Sequence, residues 1–242
     1  MDAIIIKGLT KKYKDVVAVD NLSLSIKEGE LVSLLGINGA GKTTTIKMLS
    51  CLTMPTSGDA LILGKSIKNE SAEVKSVIAV SPQETAVDPG LTAQENLELI
   101  CGVYGFKKEK RVQKIKELTE LLRLESVLKR KAGRLSGGWQ RRLSIAMALI
   151  SEPKILFLDE PTLGLDVIAR SELWDIIRAL KGKSTIILTT HYMEEAEALS
   201  DRVAIMKNGK LVIYETVEKI KEIANTDSFE QAFISIVKGD TK

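Results

Sequence analysis

Residues 36–43 read Gly36-Ile37-Asn38-Gly39-Ala40-Gly41-Lys42-Thr43. This is the pattern of a loop that wraps phosphates. Glycines let the backbone bend so that successive N–H groups point inward at an anion. Asn38, Gly39, Ala40, Gly41 and Thr44 are the candidate donors of that cradle, with Gly36 opening its turn. Lys42 adds a full positive charge aimed at β- and γ-phosphates, and the Thr43 hydroxyl is a ligand suited to Mg²⁺.

A second constellation supplies acids. Lys154 to Leu158 is an apolar run ending in Asp159-Glu160-Pro161. A buried strand does not end in adjacent carboxylates without a reason. Strand C-termini line the ligand crevice of an open parallel sheet. Asp159 is therefore expected to orient Mg²⁺, and Glu160 to polarise an attacking water as general base. The single histidine, His191, follows another apolar run, Thr185–Thr190, so it falls on the same sheet edge. Gln83, after the strand candidate ending at Val80, is a third edge residue. Its neutral amide reaches a metal or a water without adding negative charge.

Leu135-Ser136-Gly137-Gly138-Trp139-Gln140 opens a second helix with an anion-seeking start. Ser136 is a good N-cap, and Gly137 and Gly138 expose N–H groups. Taken alone, this stretch is better explained as an ordinary capped helix after a loop. Two phosphate-seeking helix starts with one set of acids have an economical solution, a head-to-tail pair of identical chains. Each nucleotide would then be closed by the Ser-Gly-Gly of the other copy.

The elements that must position these residues can be placed coarsely. Gly29–Leu35 reads as a turn and a buried strand, and Thr44–Ser50 as a helix before Pro55. Ala3–Leu9 and Leu22–Ile26 read as short strands around a turn-like middle, and Ser76–Val80 as another strand. From Thr92 to about Ile150 the pattern is helical, opened by the capping box Thr92-Ala93-Gln94-Glu95. Val112, Ile115, Leu118, Leu121 and Leu122 recur at helical spacing. Strands return at Ile155–Leu158, Thr185–Thr189 and Val203–Met206. Val167–Leu180 reads as a helix closed by Gly182, and Asn208-Gly209 as a hairpin turn. A short amphipathic helix and a polar tail follow Thr216. Strands alternating with helices predict an α/β fold with a parallel sheet covered on both faces.

Composition narrows the class. With 242 residues, 44% of them hydrophobic, the chain can form one large domain. A net charge of +3 and 4% aromatics do not advertise nucleic acid. Cys51 and Cys101 match no metal spacing and read as small hydrophobes in a reducing compartment. No signal peptide and no run of about twenty apolar residues is present, which predicts a peripheral role at any membrane.

Taken together and in this order, the motifs resemble those of the ATP-binding subunit of ATP-binding cassette (ABC) transporters over nearly the whole chain. Gly36–Thr43 resembles the Walker A loop and Ile155–Glu160 Walker B. Leu135–Gln140 resembles the family signature, Gln83 the Q-loop, Leu165-Asp166 the D-loop and His191 the H-loop. Tyr13 resembles the aromatic that stacks on adenine. One departure is Trp139, where the family often carries an unbranched side chain.

The resemblance implies a P-loop NTPase (RecA-like) core with a mainly parallel sheet, an N-terminal antiparallel β subdomain and a helical subdomain. Residues 1–220 would form one cassette, with core and β subdomain in about 1–90 and 152–215, and the helical part in about 91–151. Residues 221–242 would be a short helix and tail. The resemblance further implies ATP and Mg²⁺ as ligands, with Thr43, Gln83 and Asp159 on the metal. It implies Tyr13, Gly36, Asn38–Thr44, Gln83, Asp159, Ser136–Gly138 and His191 on nucleotide. Implied partners are a second ATP-binding subunit and a polytopic membrane permease docked near Gln83–Leu91, at the inner face of the cell membrane. Pro82-Gln83-Glu84 and Leu91–Leu97 look most like the subgroup driving export through separate permeases, and the chain lacks the long C-terminal regulatory domain of some sugar importers. Two rivals are a soluble cassette ATPase of cluster assembly, repair or translation, and a nucleotide-responsive scaffold without turnover. The long coiled coils and doubled cassettes of repair and translation members are missing, and the intact Glu160 and His191 speak against the scaffold.

Overall fold

Leu31–Leu35, Ile155–Asp159 and Thr185–Thr190 are buried at every position. Strands of that kind need a layer on each face, and the chain supplies both. The computed structural model describes residues 1–239. Along the chain run β1 (Asp2–Tyr13), β2 (Val16–Lys27), β3 (Leu31–Leu35), α1 (Lys42–Leu49), β4 (Ser57–Ile62), β5 (Lys65–Ser66), α2 (Ser71–Val77) and β6 (Ile78–Ser81). Next come α3 (Ala93–Val103), α4 (Lys108–Leu122), α5 (Gly137–Leu149), β7 (Ile155–Asp159), α6 (Val167–Leu180), β8 (Thr185–Thr190) and α7 (Met193–Leu199). Then follow β9 (Arg202–Lys207), β10 (Lys210–Glu215), α8 (Val217–Ile223) and α9 (Phe229–Lys238).

Two sheets form. One has the order β2-β1-β4-β5 and is antiparallel throughout. The other has the order β10-β9-β3-β8-β7-β6, parallel from β9 to β6 with β10 added as a hairpin. The two-residue alternation of a strand divides its side chains between the layers. Leu156, Leu158, Ile186 and Leu188 join the core under α3–α6. Ile155, Phe157 and Ile187 join the core shared with the antiparallel sheet and α1.

The structure corrects several expectations. β1 and β2 are long paired strands rather than short ones about a turn, because irregular register keeps them bonded through Leu9 and Leu22. Ser76 and Val77 end α2, and the strand there is Ile78–Ser81. The helix after the glycine loop starts at Lys42 instead of Thr44. The tail after residue 221 is not simply polar. It carries α9, whose Phe229, Phe233 and Ile236 pack with α7, α8, β9 and Leu35. Residues 240–242 of that expected tail lie outside the described residues. Cys101 is fully buried as expected, whereas Cys51 is only half-buried.

Other expectations hold. α6 spans Val167–Leu180 with Gly182 just beyond in a left-handed conformation, φ 80°. Thr92 and Glu95 form the reciprocal capping box. Asn208 and Gly209 both take positive φ in the β9–β10 turn, as a tight hairpin requires. No helix among the described residues is long and apolar enough to cross a membrane.

Candidate active site

Parallel strands point their C-terminal ends the same way, so whatever follows each strand meets along one edge. In register, Leu35 pairs with Thr190, Thr189 with Asp159, and Leu158 with Ser81. The loop after β3, His191 after β8, Glu160 after β7 and Gln83 after β6 are therefore neighbours. They line one cavity of about 200 Å³ with Asn38–Thr44 and Leu163.

The glycine loop is built by close approach. A Cβ on Gly36 would lie 2.5 Å from the Met206 carbonyl oxygen. Gly41 takes φ 101°, and a Cβ there would lie 2.4 Å from the Ala18 oxygen. No other residue fits either position. The Ala40 N–H is taken up inside the loop by Ile37 O at 3.1 Å, although Ala40 still lines the cavity. Lys42 is buried; its Nζ donates to Gly36 O at 2.7 Å and stands 3.4 Å from Glu160 Oε1.

Glu160 sits in the left-handed region, φ 48°, a conformation that costs a non-glycine residue about 1–3 kcal/mol. Its backbone holds it there. The Glu160 N–H donates to the Thr189 hydroxyl at 2.9 Å and to the Thr189 carbonyl at 3.2 Å. Its carboxylate spans the cavity floor, with Oε2 2.8 Å from His191 Nδ1 and Oε1 toward Lys42. Asp159 Oδ1 accepts from Thr43 Oγ1 at 3.1 Å and from Thr189 Oγ1 at 2.5 Å. The Thr43 hydroxyl touches the Asp159 carboxylate, and Thr43 and Gln83 both line the cavity, so the oxygens of these three residues are a set that fits Mg²⁺.

Other candidates stand apart from this cavity. Tyr13 closes β1, is 45% exposed, and carries Lys11 Nζ 4.9 Å from its ring centroid. Ser136, Gly137 and Gly138 begin α5 and do not line the cavity. Ser136 occupies the N-cap position, but its hydroxyl makes no capping bond, contrary to expectation. Gly138 packs so tightly that a Cβ would come 3.2 Å from Ala169 Cβ. Trp139 lies under the Arg142 guanidinium, 4.6 Å from its ring centroid, and Arg142 also pairs with Glu172 of α6.

Sequence reasoning missed two supports. Thr189 ties the two acids together, and only its place directly opposite Asp159 in the sheet register could have pointed to it. Buried Arg141 donates to the carbonyls of Pro82 and Gln83, both at 2.6 Å, and so fixes the Gln83 segment to α5. Burial pushes its pKa down, while Asp159 and Glu195 nearby pull it back up.

Fold and cavity together define a P-loop nucleoside triphosphatase. The family model for ABC transporters matches residues 19–163. The doxorubicin resistance ATP-binding protein DrrA of Mycobacterium tuberculosis is 39% identical over 244 residues, covering 99% of this chain and 72% of that protein. The Nod factor export ATP-binding protein I of Burkholderia orbicola is 41% identical over 208 residues, covering 85% of this chain and 68% of that protein. A dimeric ATP-binding cassette in a post-hydrolysis state, bound to ADP and Pi, superposes with a TM-score of 0.79 at 31% identity, over 88% of this chain and 98% of that one. The chain belongs to the ABC transporter family and is an ATP-binding, ATP-hydrolysing subunit.

Proposed function

We propose that this subunit powers export through a separate permease, with Glu160 as the general base of ATP hydrolysis. The observation that carries the reading is the convergence of Lys42 and His191 on one Glu160 carboxylate, at 3.4 and 2.8 Å, inside the glycine-loop cavity. Lys42 and the start of α1 bind the β- and γ-phosphates. Glu160 takes a proton from the attacking water, and His191 holds Glu160 and the γ-phosphate in line. Bound Mg²⁺, held by Thr43, Asp159 and Gln83, supplies charge neutralisation for the phosphates. Tyr13 stacks on the adenine.

Ser136, Gly137 and Gly138 act on the nucleotide of a second copy, set head to tail. The absence of a side-chain cap on α5 supports this, since it leaves the first-turn N–H groups free for an anion. A post-hydrolysis relative is itself dimeric. Within one cassette, about residues 1–220, we assign about 91–151 as the helical part and the remainder as core and β subdomain, with 221–242 appended. A groove of about 430 Å³ between β6, α3 and α5, with exposed Leu52, Val103 and Tyr104 on its rim, supports permease docking beside Gln83. With such a permease as partner, we assign the subunit to the cytoplasm, on the inner face of the cell membrane. Export rests on the named activity of the Nod factor relative.

The test is Glu160→Gln. Turnover should fall by about 10²–10⁴-fold, the usual range for a lost general base, with ATP binding intact. Sedimentation with ATP should show the closed dimer. Wild-type phosphate release by this variant removes Glu160 from the role.

A further inference from the structure

One fully buried carboxyl has no part in the chemistry described so far. Glu195 stands in the first turn of α7 with no exposed surface. Its Oε1 accepts from Trp174 Nε1 of α6 at 3.1 Å. Its Oε2 has no partner, and neither has the Thr162 hydroxyl, which is also fully buried. The hydroxyls of Thr190 and Thr162 face this carboxyl. Thr190 Oγ1 already accepts from Tyr192 N at 2.9 Å, so its own proton is free to be donated.

The protonation state follows from the surroundings. Burial pushes the carboxyl pKa up, the three facing donors pull it down without reversing the shift, and the Glu160 charge adds to the rise. A neutral carboxyl carries one O–H donor and keeps its acceptors. Donated to Thr162 Oγ1, that proton satisfies both unpartnered atoms at once. A hydrocarbon side chain here would instead leave the Trp174 N–H, the Thr162 hydroxyl and the Thr190 proton buried without partners.

The partners are placed tellingly. Thr162 follows Glu160 by two residues, and Thr190 immediately precedes His191. Trp174 lies in α6, whose N-cap is Asp166. We infer that Glu195 is a positioning residue of the ATPase, a clamp that holds the segments bearing Glu160 and His191 at their 2.8 Å spacing. This rests on the proposed roles of Glu160 and His191. The clamp touches neither nucleotide nor metal, so it acts on the chemical step alone.

The experiment measures phosphate release with magnesium-ATP, and binding of a fluorescent ATP analogue, on the full chain. Glu195→Leu and Thr162→Val should each lower kcat about 10- to 100-fold, the cost of a misplaced reacting pair, with analogue affinity within about twofold of wild type. Glu195→Gln keeps a donor and an acceptor and should recover kcat to within about threefold. Thr162→Val removes one hydroxyl at nearly constant shape, so it decides the matter if Glu195→Leu does not fold. Wild-type kcat in Thr162→Val, affinity lost in parallel with rate, or a Glu195→Gln as impaired as Glu195→Leu overturns the clamp. The control is Glu160→Gln. If it is dead while Thr162→Val is fully active, the clamp alone fails; if it turns over normally, the proposed site fails and the clamp with it.

Discussion

Replacing Thr189 with valine removes one oxygen from the centre of the site. That oxygen donates to Asp159 Oδ1 at 2.5 Å and accepts from Glu160 N at 2.9 Å, and the residue is fully buried. The two bonds are not of equal weight. Glu160 N keeps a second acceptor, the Thr189 carbonyl at 3.2 Å, so little is lost there. Asp159 loses one of the two donors on its Oδ1 and keeps Thr43. A hydrogen bond to a charged group is worth about 1.5–3 kcal/mol. For a chain of this size each kcal/mol moves Tm by about 2–4 °C, so Thr189→Val should melt about 3–12 °C lower. Turnover should fall as well, because Asp159 is freed to rotate away from its place beside Thr43. Thr189→Ser keeps the hydroxyl and should hold most of the rate while losing only a buried methyl. The assays are thermal melting and phosphate release on the three proteins side by side. A valine variant with unchanged Tm and wild-type turnover would refute the idea that this hydroxyl organises the acids.

Three more outcomes are expected. Lys42→Ala should weaken ATP binding itself, measured by analogue titration, because Lys42 is the buried cation at the glycine loop. Gly41→Ala should fail to bind ATP and should lower Tm, since φ 101° and a contact of 2.4 Å to Ala18 O leave no room for a methyl. For Glu195 the folded pKa lies above the ordinary 4.5, so the folded state holds a proton that the unfolded chain releases. Stability is then lost as pH rises from 4.5 toward the folded value. Burial and the Glu160 charge raise this carboxyl, Thr190, Thr162 and Trp174 lower it, and the net direction is upward. Glu195→Gln should therefore melt above wild type at neutral pH, with the gap closing near pH 4; a constant gap across that range contradicts the buried acid.

What the sequence made legible was chemistry carried by contiguous residues. The glycine loop, the Asp-Glu pair and the lone histidine each follow an apolar run, and a parallel sheet brings the ends of such runs to one edge. Turns with a strict backbone demand were equally plain, as at Asn208-Gly209. Residues whose meaning lies in a partner far along the chain stayed hidden. Thr189 looks like one more β-branched residue in a buried strand until its register opposite Asp159 is known. Nothing in its sequence position marks Arg141 until its guanidinium is seen on the Pro82 and Gln83 carbonyls. Strand length suffered for the same reason. Polar residues in β1 and β2 suggested a turn, yet the pairing of β1 with both β2 and β4 satisfies the backbone through that stretch.

The same contrast bears on the proposed division of the chemistry between two copies. Thr43, Asp159, Glu160, Gln83 and His191 sit on one edge of one sheet because parallel strands end together. Gly137 and Gly138 begin a helix whose other residues, Leu143, Ile145 and Ala146, are fully buried. That core packing anchors α5, and the glycines at its start do not line the cavity of their own chain. Their packing against Leu165 and Ala169, beside Asp166, instead gathers the two remaining motifs into one patch. On the proposed reading, the uncapped start of α5 and the glycine-loop cavity, apart on one chain, meet between two copies. An ATP-loaded Glu160→Gln protein that stays monomeric at every concentration tested by sedimentation would leave that patch without a purpose, and the head-to-tail arrangement with it.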